Sequence, residues 1–321
     1  MKATFDKRWS FMGLLIVLAL LAPSWTSAET KFGRIVVFGD SLSDPGNAYV
    51  LRGGQNTPPY DNPDAMGAFL IPNVPYARGG HHFSNGATWV EQFARPLGLA
   101  GDVRPAFQGS SMQTTNYAVS GARAHEDGKN VNLSAQVSTF LNRFGAAPAD
   151  ALYVVEFGGN DIRDALEVFA GGGDGSPIIV EALTQIGNNI GALYAAGGRK
   201  FLIWNAPDLG LTPAILSLGA GPAAESISGF FNMLLEQNVL QPLSALPGIE
   251  IVRLDVFQKL NDMVHHPEAF GLAVVNAACI TPNAPPFECQ DPDEYLFWDG
   301  IHPTKAVHAI FAQEAAFVLT H

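Results

Sequence analysis

The chain is poor in cysteine, poor in charge and short of basic residues. Of its 321 residues only 2 are Cys and 15% are charged, and 30 acidic residues face 18 basic ones for a formal charge of −12. That deficit of Lys and Arg argues against nucleic acid, which is bound by basic side chains clustered on phosphates. It also gives no electrostatic help at an anionic membrane surface; transient apolar contact with lipid stays open. There is no internal repeat and no linker-like stretch, and only one long apolar run. With 47% hydrophobic residues, the composition suits a folded globular chain with no long disordered part.

The one apolar run lies at the start. Lys2, Lys7 and Arg8 precede it, it extends from Phe11 to Ala22, Pro23 breaks it, and Thr26-Ser27-Ala28 follows. This order is that of a secretory leader, residues 1–28, cut after Ala28. The run is shorter than the roughly 20 apolar residues of a membrane span, and no Cys follows it to take a lipid. The expectation is an exported protein, secreted or periplasmic, whose residues 29–321 make a single domain. Export bears on Cys279 and Cys289, ten residues apart in a Pro-rich segment. In an oxidising compartment they are expected to pair, stabilising that loop by about 3 kcal/mol.

Five apolar runs read as buried strands: Gly33–Phe38, Thr115–Val119, Leu152–Phe157, Phe201–Trp204 and Ile249–Leu254. Helical spacing lies between them. Trp89, Val90, Phe93 and Leu97 share a face after a start at Ser84-Asn85, and Val137, Phe140, Leu141 and Phe144 repeat the pattern up to Gly145. Further helices are expected over Pro177–Ala196, over Ala223–Leu240 and after Pro303. Strands alternating with helices imply parallel pairing and a three-layer α/β domain. Two stretches break the rhythm, Asn47–His82 and Ala269–Phe297. Both are expected as ordered loops walling a cleft.

Ligands of an open parallel sheet bind beyond the carboxyl ends of its strands. The first strand is followed by Gly39-Asp40-Ser41, the second by Ser120-Gly121-Ala122, the third by Gly158-Gly159-Asn160-Asp161. Trp298-Asp299-Gly300-Ile301-His302-Pro303 precedes the last helix. A serine hydroxyl becomes a competent nucleophile when a base takes its proton, and His302 suits that task. Asp299, three residues earlier, can fix the imidazole tautomer and stabilise the imidazolium. The N–H groups of Ser41 and Gly121 and the amide of Asn160 supply donors for a tetrahedral oxyanion. Taken alone, Ser41 would equally read as a helix cap.

The segments FGDSLSDPGN, NYAVSGARA, FGGND and WDGIHPT resemble, in order and spacing, the four blocks of the GDSL or SGNH-hydrolase family. HHFSNGATWVEQFA, APDLGLTP and PDEYLFWDGIHPT are similar to its phospholipase, lecithinase and haemolysin branch, shared with plant-type GDSL esterases. The resemblance covers nearly all of residues 29–321. It implies a flavodoxin-like α/β/α sandwich on a five-stranded parallel sheet and hydrolysis of carboxylic esters without a cofactor. It implies Ser41 as nucleophile, His302 and Asp299 as base and acid, and Gly121 and Asn160 as oxyanion donors. The substrate expected is a small-molecule or lipid ester, with no obligate protein partner. Carbohydrate acetylester hydrolysis, acyl transfer to a lipid alcohol and a non-catalytic binding protein on the same fold are the alternatives. Three departures from the family pattern stand out: Ser120 where many relatives have Gly, a long Asn47–His82 segment, and Glu156 inside an apolar strand.

Other residues attract a functional reading and lose it. His81-His82 and His265-His266 lack matching carboxylates or thiolates for a metal and are expected as solvated loop residues; no metal is expected. His125 is expected either at the cleft edge or on the surface. Asp44 and Asn47 are expected to brace the serine turn, and Asp161 and Asp208 to fix loops. Gly171-Gly172-Gly173 lacks the Lys and Ser/Thr of a phosphate loop.

Overall fold

β-branched and apolar residues set the centre of the molecule. The computed structural model describes residues 32–56, 69–77, 79–109, 111–282 and 285–321. In it four of the expected runs form a parallel sheet, β1 (Arg34–Phe38), β2 (Ala151–Glu156), β3 (Lys200–Trp204) and β4 (Glu250–Leu254), in that spatial order. Val37 lies opposite Val154, Val154 opposite Leu202, and Leu202 opposite Val252. Strands β1 to β3 are covered on both faces, which is why they read as apolar runs, whereas β4 at the sheet edge leaves Glu250 and Arg253 exposed.

The covering helices are α1 (Trp89–Ala94), α2 (Leu133–Phe144), α3 (Gly159–Ala170), α4 (Ser176–Ala195), α5 (Gly221–Leu234), α6 (Val256–His265) and α7 (Lys305–Val318). Alternation along each strand divides the core. Val36, Phe38, Tyr153, Val155, Phe201 and Ile203 face α2 to α5. Ile35, Val37, Leu152, Val154, Leu202 and Trp204 face α1, α6 and α7. The result is the α/β/α sandwich expected.

Local chemistry ends the helices where the sequence suggests. Gly145 closes α2 with φ of 73° and its N–H on the Leu141 carbonyl, 2.8 Å. Helix α4 carries Pro177 in its first turn and stops before Gly197-Gly198, as Pro and Gly prefer. Helix α1 is capped by Thr88, whose N–H reaches the Glu91 carboxylate at 2.9 Å, rather than by Ser84-Asn85. Those two residues tie the loop to the start of α7: Ser84 donates to the Pro303 carbonyl and Asn85 accepts the Lys305 N–H. Leu97 falls beyond the end of α1.

The chain path departs from expectation in four further places. Thr115–Val119 runs parallel to β1, with Val37 N–H on Thr115 O at 2.9 Å and Tyr117 N–H on Val37 O at 2.8 Å, but it is no regular fifth strand. The Asn47 amide donates to the carbonyls of Asn116 and Ala118, and Asn116 Oδ1 accepts the Ala118 N–H. Side chains thus do what a further strand would do. Helix α3 grows directly out of Gly158-Gly159, where no helix is expected. The segment Leu235–Leu240 continues α5 as a π-helix. Ala269–Phe297 is not all loop, since Val274–Ala278 (β5) and Tyr295–Phe297 (β6) pair in a small parallel sheet.

Cys279 and Cys289 are joined in a disulfide, packed with Tyr76, Ile280 and Trp298. The expected leader, and residues 57–68 and 78 of the Asn47–His82 segment, lie outside the described residues. Among the described residues no helix is long and apolar enough to cross a membrane.

Candidate active site

The turn after β1 is built around Gly39. Its N–H and C=O are both held by the buried Gln136 amide, at 3.0 and 2.9 Å. A Cβ at this position would lie 2.7 Å from the Glu156 carboxylate, so glycine is what lets β2 approach. Asp40 then accepts the Leu42 N–H at 3.0 Å, and Ser41 is left at the strand end, 8% exposed.

Ser41 is met by the loop between β6 and α7. The Oγ lies 2.9 Å from His302 Nε2, and His302 Nδ1 lies 2.7 Å from Asp299 Oδ2. Asp299 Oδ1 accepts the N–H groups of Ile301 and His302, at 2.9 and 2.8 Å. A carboxylate so placed accepts a hydrogen bond from Nδ1–H and keeps the proton on that nitrogen, leaving Nε2 as the acceptor for the serine proton. The Tyr76 hydroxyl also donates to Asp299 Oδ2, at 2.8 Å. Tyr76 is completely buried, in one of the segments expected only as a cleft wall. Nothing in its local sequence signals the contact, because the two residues are 223 apart.

The donors gather on the other side of Ser41. Gly121 has φ of 81°, a conformation that costs a side-chain-bearing residue more. Neither the Ser41 N–H nor the Gly121 N–H has an acceptor among the described residues. Asn160 is different. Its amide hydrogens point at Asp40 Oδ2, 2.9 Å, and the Ala122 carbonyl, 3.0 Å, while its Oδ1 accepts from Arg163 at 3.2 Å. Two of the three expected donors are unengaged and the third is held in place by its own bonds.

Beneath them lies a pair of acids. Glu156 is buried and accepts the Asp40 N–H at 3.0 Å. Burial, and then the Asp40 charge, push Glu156 well above the usual carboxylate range, and Ser43 is a further partner. Burial likewise lifts Asp40 to about 6, against the pull of the Leu42 N–H and His302. The site therefore favours a neutral Glu156 beside Asp40.

The other singled-out residues have bracing partners. Asp44 takes the N–H groups of Gly46, Asn47, Ala48 and Ser120. Asp161 holds the N–H groups of Ala124 and His125 and the His125 ring, which buries His125 against it. Asp208 takes the Gly210 N–H and the Asn261 amide. His82 is not solvated as expected. It is buried, 2.8 Å from Glu91, whose hydrogen bond and charge outweigh burial and raise its pKa. His81 stacks on Tyr49, and His265 and His266 are exposed at the end of α6.

Two cavities open from Ser41 and His302. One is walled largely by apolar side chains, including Leu42, Trp204, Leu209, Leu260, Phe297 and Phe311. The other is polar and includes Asn73, Ser120, Gly121, Asn130 and three arginines. A hydroxyl, an imidazole, a carboxylate and free backbone donors at the junction of an apolar and a polar cavity form an arrangement able to cleave an acyl bond.

Comparison with known proteins agrees in kind. The family model described as GDSL-like lipase/acylhydrolase matches residues 35–315. The chain is 27% identical to a GDSL esterase/lipase of Arabidopsis thaliana over 373 residues, covering 98% of this chain and 92% of the relative. It is 26% identical to a phosphatidylcholine-sterol acyltransferase of Aeromonas hydrophila over 361 residues, covering 97% and 96%. A solved structure of a lipolytic G-D-S-L family protein from Veillonella parvula aligns over 90% of this chain and 98% of that one, with 14% identity and a TM-score of 0.44.

Proposed function

The chain belongs to the GDSL-like lipase/acylhydrolase family and is an ester hydrolase, and from that premise we propose that Ser41 is its nucleophile, His302 its general base and Asp299 the orienting acid. The observation that carries this is the unbroken series Ser41 Oγ, His302 Nε2, His302 Nδ1, Asp299 Oδ2, with bonds of 2.9 and 2.7 Å. Ser41 Oγ attacks the ester carbonyl carbon as its proton passes to His302. The carbonyl oxygen becomes an oxyanion, held by the N–H groups of Ser41 and Gly121 and by Asn160, which turns one amide hydrogen towards it. Collapse breaks the bond to the alcohol, which leaves with the His302 proton. Water then gives a proton to His302 as its oxygen adds to the acyl carbon, and collapse of this second intermediate breaks the bond to Ser41 Oγ, which takes the proton back from His302 as the acid leaves.

The apolar cavity supports an acyl chain as the group lodged beside Ser41, hence a lipid or acyl ester ahead of an acetylated sugar. The likeness to the Aeromonas acyltransferase supports a second fate for the acyl-enzyme, attack by an alcohol instead of water. The basic patch, apolar run and Thr26-Ser27-Ala28 support export with cleavage after Ala28. The test is covalent labelling by an alkyl phosphonate ester followed by peptide mapping. The label is expected on Ser41 and is expected to vanish in His302→Ala. A label on any other serine contradicts the assignment.

A further inference from the structure

The polar cleft beside Ser41 is lined by three arginines, Arg52, Arg123 and Arg163, and, among the described residues, by no acidic side chain, in a chain of net charge −12. One of the three is already neutralised. Arg123 grips Asp164 through Nε and Nη2 at 2.8 and 3.0 Å and bonds the Gly121 carbonyl through Nη1. Arg163 is not: among the described residues its side chain forms one hydrogen bond, to the neutral Asn160 oxygen, and no ion pair. Arg52 has no side-chain hydrogen bond or ion pair among the described residues. Arg163 is also partly buried; burial and the Arg123 charge work against its positive form, and Asp164, Asp40 and Glu167 favour it only through space, without an ion-pair contact. A partly buried charge with no counter-ion in contact is costly, and an incoming anion relieves that cost.

Arg163 stands where three spaces meet. It lines the apolar cavity, the polar cleft and an apolar groove beyond them. A group bound to it in the polar cleft sits across Ser41 from an acyl chain in the apolar cavity. We propose that the polar cleft is an anion subsite, in which Arg163 and Arg52 seat an oxyacid anion, best matched by a phosphate, on the alcohol half of the ester. A guanidinium presents paired donors that fit such oxygens, and Ser120, Asn73 and Asn130 add neutral polar groups at the rim. The inference rests on the reading of Ser41 and the apolar cavity given above.

The test compares 1-octanoylglycerol with 1-octanoylglycerol 3-phosphate, both below the concentration at which they aggregate, so that surface charge plays no part. p-Nitrophenyl octanoate reports the esterase machinery alone, and inorganic phosphate serves as a free-anion inhibitor. The wild type is expected to favour the phosphorylated ester by roughly tenfold or more in kcat/KM, the scale of a charge-assisted pair. In Arg163→Met that ratio is expected to fall towards one, with Arg163→Lys between. Any loss common to both esters, through Asn160, cancels in the ratio. Inorganic phosphate is expected to inhibit the wild type more strongly than Arg163→Met or Arg52→Met. A wild-type ratio of one overturns the subsite, whether or not the variants fold. So does a ratio unchanged in Arg163→Met, which would leave Arg163 as a residue that only orients Asn160. Failure of the wild type on p-nitrophenyl octanoate would instead refute the esterase reading on which the subsite rests.

Discussion

Tyr76 donates its hydroxyl to the same oxygen, Asp299 Oδ2, that holds the His302 ring, at 2.8 Å beside 2.7 Å. Two donors on one oxygen fix the carboxylate against rotation, and Tyr76 is itself wedged edge-on against Trp298. Tyr76→Phe keeps the packing and removes only the donor. Its kcat is expected to fall roughly tenfold with little change in KM, since orientation of the base acts in the transition state. Steady-state kinetics on one soluble ester check this; an unchanged kcat would make Tyr76 a packing residue alone.

Glu156 offers a sharper contrast between two substitutions. A neutral Glu156 can be replaced by Gln, which still accepts the Asp40 N–H and still donates to its neighbour. Glu156→Gln is therefore expected to keep activity within about threefold. Glu156→Leu strands the buried Asp40 N–H and is expected to cost about 1–3 kcal/mol in unfolding free energy, the penalty of an unpaired buried donor. Denaturant titration of both variants decides; equal destabilisation would show that Glu156 acts by its shape rather than its hydrogen bonds.

His308 predicts a pH effect with a definite sign. It is buried between α7 and α1, accepts the Trp89 N–H at 3.2 Å, and is lowered to about 3 by burial and then by His82 and His302. The unfolded chain takes up this proton near the ordinary histidine value while the folded chain refuses it until about pH 3. Its contribution is thus present above the unfolded value and lost as pH falls towards 3. Between pH 7 and 4.5 the wild type is expected to lose on the order of 2 kcal/mol more stability than His308→Asn. Equal losses by chemical denaturation at the two pH values would contradict it.

The gathering of residues around Ser41 was legible in the sequence because each of its parts sits in a short contiguous block at a strand end. Gly39-Asp40-Ser41, Gly121, Asn160 and Asp299 to His302 each follow an apolar run or precede a helix, and topology then brings strand ends together. The supports were not legible, since each arrives from a distant element. Gln136 clamps Gly39 from α2, and Tyr76 reaches Asp299 across 223 residues. Glu156 was visible as an oddity in an apolar strand, but its partner Asp40 was not. His82 looked like half of a loose histidine pair because its counter-charge, Glu91, lies on α1. Thr115–Val119 reads as a strand by composition, yet Asn47 and Asn116 satisfy its backbone with side chains. Helix α3 was hidden by the two glycines that begin it.

The central claim is that Ser41 carries the acyl group, and turnover of p-nitrophenyl octanoate by wild type and Ser41→Ala tests it most directly. The wild type is expected to turn over with a burst of p-nitrophenol as the acyl-enzyme fills. Ser41→Ala is expected to lose the burst and at least about a thousandfold in kcat, with its circular dichroism unchanged. A folded Ser41→Ala that hydrolyses the ester as fast as the wild type would contradict the account.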